Sequence, residues 1–498
     1  MPTPRSAASD RRIATWLAAV AALAYLPFNH CHFTATDELG VFDQAVSLYS
    51  RGTLAVESGV HVFRGRDDRL YSHFAIGQSI LAVPWLAVAD ALTHLFAPET
   101  LRNAIGRNDT HFIDTLESPA IFLVSAYAPA VTGALVGIFY LFERRLGASR
   151  RASLTAAALL GASTYVATHS VYFLQHTSET VAILGGFAAL HAWRDTGRVA
   201  WLAAGCGLAA SVVLIRVPAV LALPALAGYG AWTLIARSRG HGLAWGRIAG
   251  AILLPGAAVA AIHVAVNYAK WGYWIESPMI AQRALLDGSL REGALGLVFS
   301  PGAGLLAYSP LLLLLPLWLP GFWRAHRAEC TTVLAIAASL VYVCGRFIWW
   351  HGLWSAPGPR YLFALTPLLL LPLGPWLDLP RPQWQRVLTG ALAALGLLIQ
   401  LALVSARWRG ALESLGFLDL FATGRYPSLD FLFDPQRSPI AMHLRGLAAG
   451  DVDVYLWALW FGVGREPQRA LACALLVAWV LAFALCLWRL RKSTTATC

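Results

Sequence analysis

An aspartate and a glutamate stand side by side in Thr36-Asp37-Glu38, and Asp43 follows one to two helical turns later. A carboxylate so placed can take the proton from an attacking hydroxyl as a general base, or ligate a divalent cation. The pair follows directly on an apolar stretch from about Ile13 to Phe28, so the acids sit where a membrane-spanning helix would end. Acids at a membrane boundary are costly unless solvated or paired, which makes them functional candidates. The plainer reading is a solvated loop start, with Thr36 or Asp37 capping a helix that continues through Phe42 and Tyr49.

Other polar groups recur beside apolar stretches. His73 lies in Tyr71-Ser72-His73-Phe74, and Glu179 ends His176-Thr177-Ser178-Glu179, with His169 and Gln175 close by in sequence. Arg216 follows an apolar run, and Lys270 sits in Asn267-Tyr268-Ala269-Lys270-Trp271-Gly272, ahead of Glu276. Ser300-Pro301-Gly302-Ala303-Gly304 and Tyr308-Ser309-Pro310 are turn-forming. His351 lies in Trp349-Trp350-His351-Gly352, and Arg360 and Tyr361 close Gly358-Pro359-Arg360-Tyr361. A guanidinium can grip a phosphate bidentately. Each residue also has an ordinary role: Glu179 as a helix-dipole partner, Lys270 as a snorkelling cation, Arg360 as a headgroup anchor. Together they suggest displacement at a carbon bearing a phosphate leaving group, in which cations neutralise the phosphate and a carboxylate deprotonates the incoming hydroxyl.

The elements that must position these groups are membrane helices. Of 498 residues 57% are apolar and 13% charged, with mean hydropathy +0.57. A soluble chain carries roughly 25% charge. The net charge of +11 is almost wholly arginine, since Lys270 and Lys492 are the only lysines. In such a chain this excess reads as topology and anionic-headgroup contact, not nucleic-acid binding. The seven cysteines show no metal-ligand spacing, and there is no nucleotide-binding motif.

Apolar runs predict twelve spans, at about 13–30, 119–142, 152–171, 179–195, 200–216, 218–236, 247–267, 305–323, 329–348, 361–378, 386–405 and 469–489. Arg clusters at 144–151, 194–198, 237–247, 324–327, 381–386 and in the tail at 489–492 then fall on one side. By the positive-inside tendency that side is cytoplasmic and holds both termini. The first helix reads as retained, because no small-residue cleavage site follows it. Phe74 to Phe96 is apolar enough to span but would invert every later loop, so it reads as an interfacial or re-entrant helix on the external face. That face carries loops at about 31–118, 172–178, 268–304, 349–360 and 406–468, the last with Trp408, Tyr455, Trp457 and Trp460. The chain divides into 1–378, with the acidic motif in its first external loop, and a C-terminal transmembrane region, 379–498.

On these residues the chain resembles the GT-C superfamily of polytopic glycosyltransferases, which includes protein O-mannosyltransferases and lipid A aminoarabinose transferases. Thr36-Asp37-Glu38 looks like the family's acidic motif in the first external loop. His73 falls where relatives carry a Lys-Pro or His-Pro-Pro, here without proline. Leu141 to Gly147 resembles the cytoplasmic end of the family's second span. Asn267 to Glu276, Ser300 to Pro310 and Trp349 to Tyr361 are similar to motifs of a bacterial branch, with Trp271 for a Phe and His351 for a Gly. The likeness covers roughly 13–378.

The resemblance implies an all-α, GT-C-like membrane enzyme that moves a sugar from a polyprenyl-phosphate donor to a lipid, glycan or protein hydroxyl outside the bacterial cytoplasmic membrane. Asp37 would be the base and Glu38 a second carboxylate or metal ligand. Arg360 and Lys270 would hold phosphate, with Arg216, Glu179, His73, His351 and Tyr361 as further substrate contacts. The cofactor stays open between none and a divalent cation such as Mg²⁺ or Mn²⁺, since the superfamily holds both kinds. The competing readings are a lipid or polysaccharide transporter, which commonly shows internal repeats and broken helices at the midplane, neither expected here, and a non-catalytic assembly subunit.

Overall fold

The computed structural model describes residues 4–57, 59, 61–95, 119–239, 244–274, 283–353, 355–408, 429–456 and 466–495. Glu276, Trp457 and Trp460 lie outside them. In hydrocarbon a chain must satisfy its own N–H and C=O groups, so the apolar runs fold as helices. Among the described residues six are long and apolar enough to cross a membrane: Ala120–Arg145, Val217–Ser238, Trp245–Trp271, Arg327–Arg346, Gln383–Ser405 and Arg469–Thr495. Val199–Ile215, Pro310–Ala325 and Leu365–Leu377 are shorter apolar helices. The architecture is that of a polytopic helical membrane protein.

Small residues set the closest helix contacts. The first helix, α1 (Pro4–Tyr25), packs against Tyr127–Arg145 and against the last helix, Glu466–Thr495. A Cβ at Gly133 would come 2.3 Å from the Ala18 carbonyl oxygen, and one at Gly137 2.9 Å from that of Ala14. Without a hydrophobic drive between helices in lipid, such close backbone approach supplies the packing. On the Arg-dense side, Asp10 takes Arg144 at 3.1 Å and Arg150 at 2.8 Å, while Arg194 and Tyr229 converge on Glu329.

Three expected spans are not continuous helices. Over 152–171 the helix Arg150–Ser163 stops, and Thr164–Leu174 runs on as irregular backbone with one 3₁₀ turn, Thr168–Val171, buried throughout. Thr164 turns its hydroxyl back to the Leu160 carbonyl and takes extended backbone angles, φ −133° and ψ 170°. The 305–323 run divides into Leu305–Tyr308, a 3₁₀ turn Pro310–Leu314 and Leu315–Ala325; the 361–378 run becomes Arg360–Leu362, Leu365–Leu370 and Leu373–Leu377. Pro310, Pro316, Pro367 and Pro372 lack the N–H that a continuous helix needs. Non-helical backbone at membrane depth survives only when buried in protein or lining a cavity. Broken helices are not expected from the sequence, so with these breaks present their absence no longer counts against a transporter.

The first loop adds a feature the sequence reading lacked. Helix α2 (Thr36–Arg51) leads into β1 (Ala55–Val56), β2 (Val62–Arg64) and β3 (Leu70–Ser72), an antiparallel sheet of order β1-β3-β2 with Tyr71 opposite Ala55 and Phe63. Strands this short carry too little alternation to declare themselves. The apolar 74–96 segment forms α3 (Gly77–Leu95), which packs on α2, on Pro119–Ser125 and on Val199–Ile215. Its inner face is Gln78, Ser79, Ala82, Leu86 and Ala89, while Ile80, Leu81 and Val88 are exposed.

Candidate active site around Asp37 and Arg360

Asp37 opens α2, where a helix N-terminus favours a negative charge. Glu38 fixes that start. Its Oε2 accepts the N–H groups of Thr34 (2.9 Å) and Ala35 (3.0 Å), and its Oε1 that of Phe173 (2.6 Å). Both oxygens of Glu38 thus hold backbone, binding the loop before α2 to the irregular 164–174 segment. Burial drives the Glu38 carboxyl up to about 7 against these bonds.

Arg360 comes from the broken segment after the helix Arg327–Arg346. Its Nη1 donates to Asp37 Oδ2 at 2.6 Å, and Ser355 Oγ donates to the same oxygen at 2.8 Å. His61 Nε2 lies 3.5 Å from Asp37 Oδ1 and 2.9 Å from Thr36 Oγ1. Burial pushes the Asp37 carboxyl up, but the Arg360 and His61 charges and the Arg360 and Ser355 hydrogen bonds outweigh it, leaving it at about 2. Arg360 is buried, and its Nε has no acceptor. Two glycines shape its seat. Gly352 has φ +63°, and a Cβ there would stand 2.8 Å from Arg360 Nε; Gly358 has φ +91° and faces the Tyr165 and Tyr308 rings at 2.7 Å. A side chain at either position would be both strained and blocked.

A second buried pair continues from the first. Arg216 Nη1 donates to Glu179 Oε2 at 3.0 Å. Tyr361 links the pairs: its ring centroid is 5.0 Å from the Arg360 guanidinium and 5.3 Å from that of Arg216, and its hydroxyl accepts from Arg360 Nη2 at 3.2 Å. His176 lies 6.3 Å from Tyr361 and 5.4 Å from His169, ring to ring. Both ring nitrogens of His169 and of His176 are buried without a partner, as are Gln175 Nε2, Thr177 Oγ1 and the Tyr172 hydroxyl. Buried polar groups are nearly always satisfied, so a cluster of orphans beside two guanidiniums points to a polar ligand or ordered water.

The remaining expected residues divide. Lys270 is buried, and its ammonium spends all three protons on Gln44 Oε1 (2.6 Å), Ser72 O (2.9 Å) and Phe74 O (3.0 Å). It ties the end of the sheet to α2. His73 shares the His61 carbonyl through Nδ1 (3.0 Å) and its own N–H (3.2 Å), and burial lowers its pKa to about 4. His351 accepts the Leu353 N–H on Nδ1 at 3.3 Å, with its pKa pushed to about 3 by burial and then by Arg360. Asp43 is raised to about 6 by burial. A pocket beside His73 and Lys270 has an apolar wall of Phe74, Leu214, Val217 and Val266. Sequence reasoning missed His61 and Ser355; the turn that brings His61 in, where it adopts φ 62°, leaves no periodic signal.

Compared with protein-family models and with curated proteins, the chain finds no match. Solved structures do resemble it. One is ArnT from Cupriavidus metallidurans bound to undecaprenyl phosphate: TM-score 0.48, 14% identity, covering 97% of this chain and 77% of that one. Another is arabinosyltransferase EmbB from Mycobacterium smegmatis, at 0.44 and 13%, covering 97% and 41%. A third is the Archaeoglobus fulgidus oligosaccharyltransferase in complex with Zn and sulfate, at 0.41 and 12%, covering 78% and 51%. Identities this low leave the chemistry of this chain to its own residues.

Proposed function

We propose that this protein is a GT-C-type membrane glycosyltransferase, in which residues 1–378 transfer a sugar from a polyprenyl-phosphate donor to a lipid, glycan or protein hydroxyl on the external side. The observation that carries this is the part-buried Asp37–Arg360 contact at 2.6 Å, with Ser355 on the same oxygen and Arg360 Nε without an acceptor. It joins a carboxylate able to act as base to a guanidinium able to hold phosphate, and the resemblance of the flanking motifs supports the same chemistry. Asp37 takes the proton of the acceptor hydroxyl, whose oxygen attacks the anomeric carbon from the face opposite the phosphate. The carbon–oxygen bond to phosphate breaks, its electron pair leaves on the polyprenyl phosphate, and the anomeric centre inverts. Arg360 receives the charge that develops on the departing phosphate.

The other residues take supporting roles. Tyr361, Arg216, Glu179, His169 and His176 line the sugar's place, since the unpartnered ring nitrogens of His169 and His176 suit a hydroxyl-rich ligand. The apolar-walled pocket near His73 suits the prenyl chain next to its phosphate. Glu38 and Lys270 position backbone, and His351 packs beneath Arg360. As it stands Asp37 is a weak base, because Arg360 holds its proton affinity down. Phosphate competing for Arg360 relieves that hold, so donor binding readies the base.

The test is transfer in proteoliposomes from a panel of radiolabelled polyprenyl-phosphate sugars to a membrane-extract acceptor, with wild type, Asp37→Asn and Arg360→Ala side by side. Transfer by wild type that stalls in both variants at equal protein level supports the proposal. Full activity in Asp37→Asn removes it. Movement of lipid-linked glycan across the bilayer without transfer puts a transporter in its place.

A further inference from the structure

Away from Asp37 and Arg360, metal-ligating side chains converge at one further place among the described residues. His30, His32 and Asp453 are all buried, and one ligand atom from each lies within 4.8 Å of the others. The histidines belong to His30-Cys31-His32, just after the first helix. Cys31 between them adopts φ 57°, a left-handed conformation unusual for a residue with a side chain, and the two rings stack 5.7 Å apart at 25°. Asp453 arrives from the far end of the chain, where Asp453 N–H donates to Ser405 O at 2.7 Å and Tyr455 N–H to Asn29 O at 3.1 Å.

The proton positions are the informative part. His32 Nδ1 faces the Phe33 carbonyl oxygen at 3.2 Å, and a carbonyl only accepts, so the proton sits on Nδ1. A neutral His32 then turns the lone pair of Nε2 on the two oxygens of Asp453, 3.0 and 3.1 Å away, which also offer only lone pairs. That contact needs a cation between its partners, either a second proton or a metal. His30 Nε2 faces the Val404 carbonyl at 3.3 Å, which places its proton there and its ring lone pair on Nδ1. Ring N–H groups spent on backbone carbonyls are the usual outer support of histidine ligands. A third imidazole, His443, is locked the same way: Nδ1–H to Pro439 O at 2.6 Å, with Nε2 buried and unpartnered.

We propose that His30, His32 and Asp453 bind a zinc-class divalent transition metal that clips the segment around 451–455 to the loop leading into Asp37. Two imidazole nitrogens with one carboxylate favour such an ion over Mg²⁺ or Ca²⁺, which take oxygen ligands, and three protein ligands leave a position for water. The role is structural: the metal fixes the residues from which the Glu38-capped start of α2 departs. It stands independently of the transfer reaction.

The full-length protein, purified in detergent with a tag free of histidine, is analysed for metals, then stripped with EDTA and titrated with Co²⁺. Expected are near-stoichiometric zinc, the intense visible bands of Co²⁺ in a low-coordinate site, and a melting temperature lowered by EDTA and restored by Zn²⁺. His32→Ala and Asp453→Asn weaken Co²⁺ binding by at least about tenfold. His94→Ala, at an exposed histidine, leaves it unchanged. Absence of metal, of Co²⁺ bands and of any EDTA effect in the wild type overturns the proposal and leaves a protonated His32 paired with Asp453. That wild-type result decides the matter even where a variant fails to fold.

Discussion

Replacing Arg360 by glutamine removes the charge that faces Asp37 while keeping much of the side chain's bulk. Asp37 sits at about 2 against an ordinary 3.8. At 1.36 kcal/mol per pH unit the difference is worth about 2 kcal/mol. The sign follows from linkage: a carboxyl depressed in the folded state contributes stability above pH 3.8, which is lost as pH falls through about 2. In Arg360→Gln the main counterweight is gone while burial, the strongest influence on this carboxyl, persists, so Asp37 titrates above its ordinary value. The variant loses about 2 kcal/mol at pH 7, less than the cost of stranding a fully buried charge, because the Asp37 side chain is 21% exposed. That loss shrinks between pH 7 and pH 4, because Asp37 then takes up a proton. Asp37→Asn in the same background recovers most of it, giving a coupling energy of about 2 kcal/mol. Denaturant unfolding in detergent of wild type, both single variants and the double variant, at both pH values, measures the cycle. Additivity within about 0.5 kcal/mol, or a loss that does not change with pH, refutes the reasoning.

Three further perturbations discriminate among the roles assigned here. Gly352→Ala displaces Arg360 and costs about 1–2 kcal/mol of backbone strain, with transfer lost; Gly450→Ala, at φ +79° with nothing within 4 Å of the new Cβ, costs the same strain and leaves transfer intact. Lys270→Met strands three buried acceptors and loosens the first loop by about 3 kcal/mol or more, seen as faster protease cleavage between 55 and 74 at unchanged expression. Glu38 is raised from 4.5 to about 7, so its contribution to stability is full below 4.5 and lost as pH rises through about 7. Melting temperatures across pH 5 to 8 therefore fall for the wild type, and Glu38→Gln flattens that slope.

Much of this was legible from the chain. Apolar runs gave the helices, and the agreement of Arg clusters picked out Phe74 to Phe96 as the segment that departs from the spanning pattern; it forms α3. The types of Asp37 and Arg360 marked them separately, but nothing in sequence spacing says that residues 323 apart touch. The three broken spans were misjudged because hydropathy averages over prolines, which lack an N–H, and over Thr164, whose hydroxyl turns back to the Leu160 carbonyl. Glu38 and Lys270 were singled out for their charge, and the structure sets that charge against backbone groups. Charge type is visible in a sequence, whereas the backbone groups that consume the charge are not. His61, Ser355 and Asp453 gave no signal because loops carry no period, and each is delivered by a turn or by the far end of the chain.

The resting pair poses a mechanistic problem whose solution constrains the order of events. An acid held at about 2 is nearly useless for deprotonating a hydroxyl, yet it is also protected from protonation and from activating stray water. Arg360 Nε has no acceptor, so a phosphate can begin to bind there before the contact with Asp37 is given up. As the donor's phosphate anion takes the guanidinium, Asp37 loses its main stabilising partner and its proton affinity rises where the acceptor hydroxyl must enter. Donor binding should therefore precede productive acceptor binding. Polyprenyl phosphate without a sugar should reproduce the first step alone. Its addition is expected to lower the coupling energy between Asp37 and Arg360 measured in the cycle above, and to compete with the donor but not with the acceptor. An unchanged coupling energy in its presence would show that phosphate does not reach Arg360, and the guanidinium would then be a permanent clamp on Asp37 rather than a relay from donor to base.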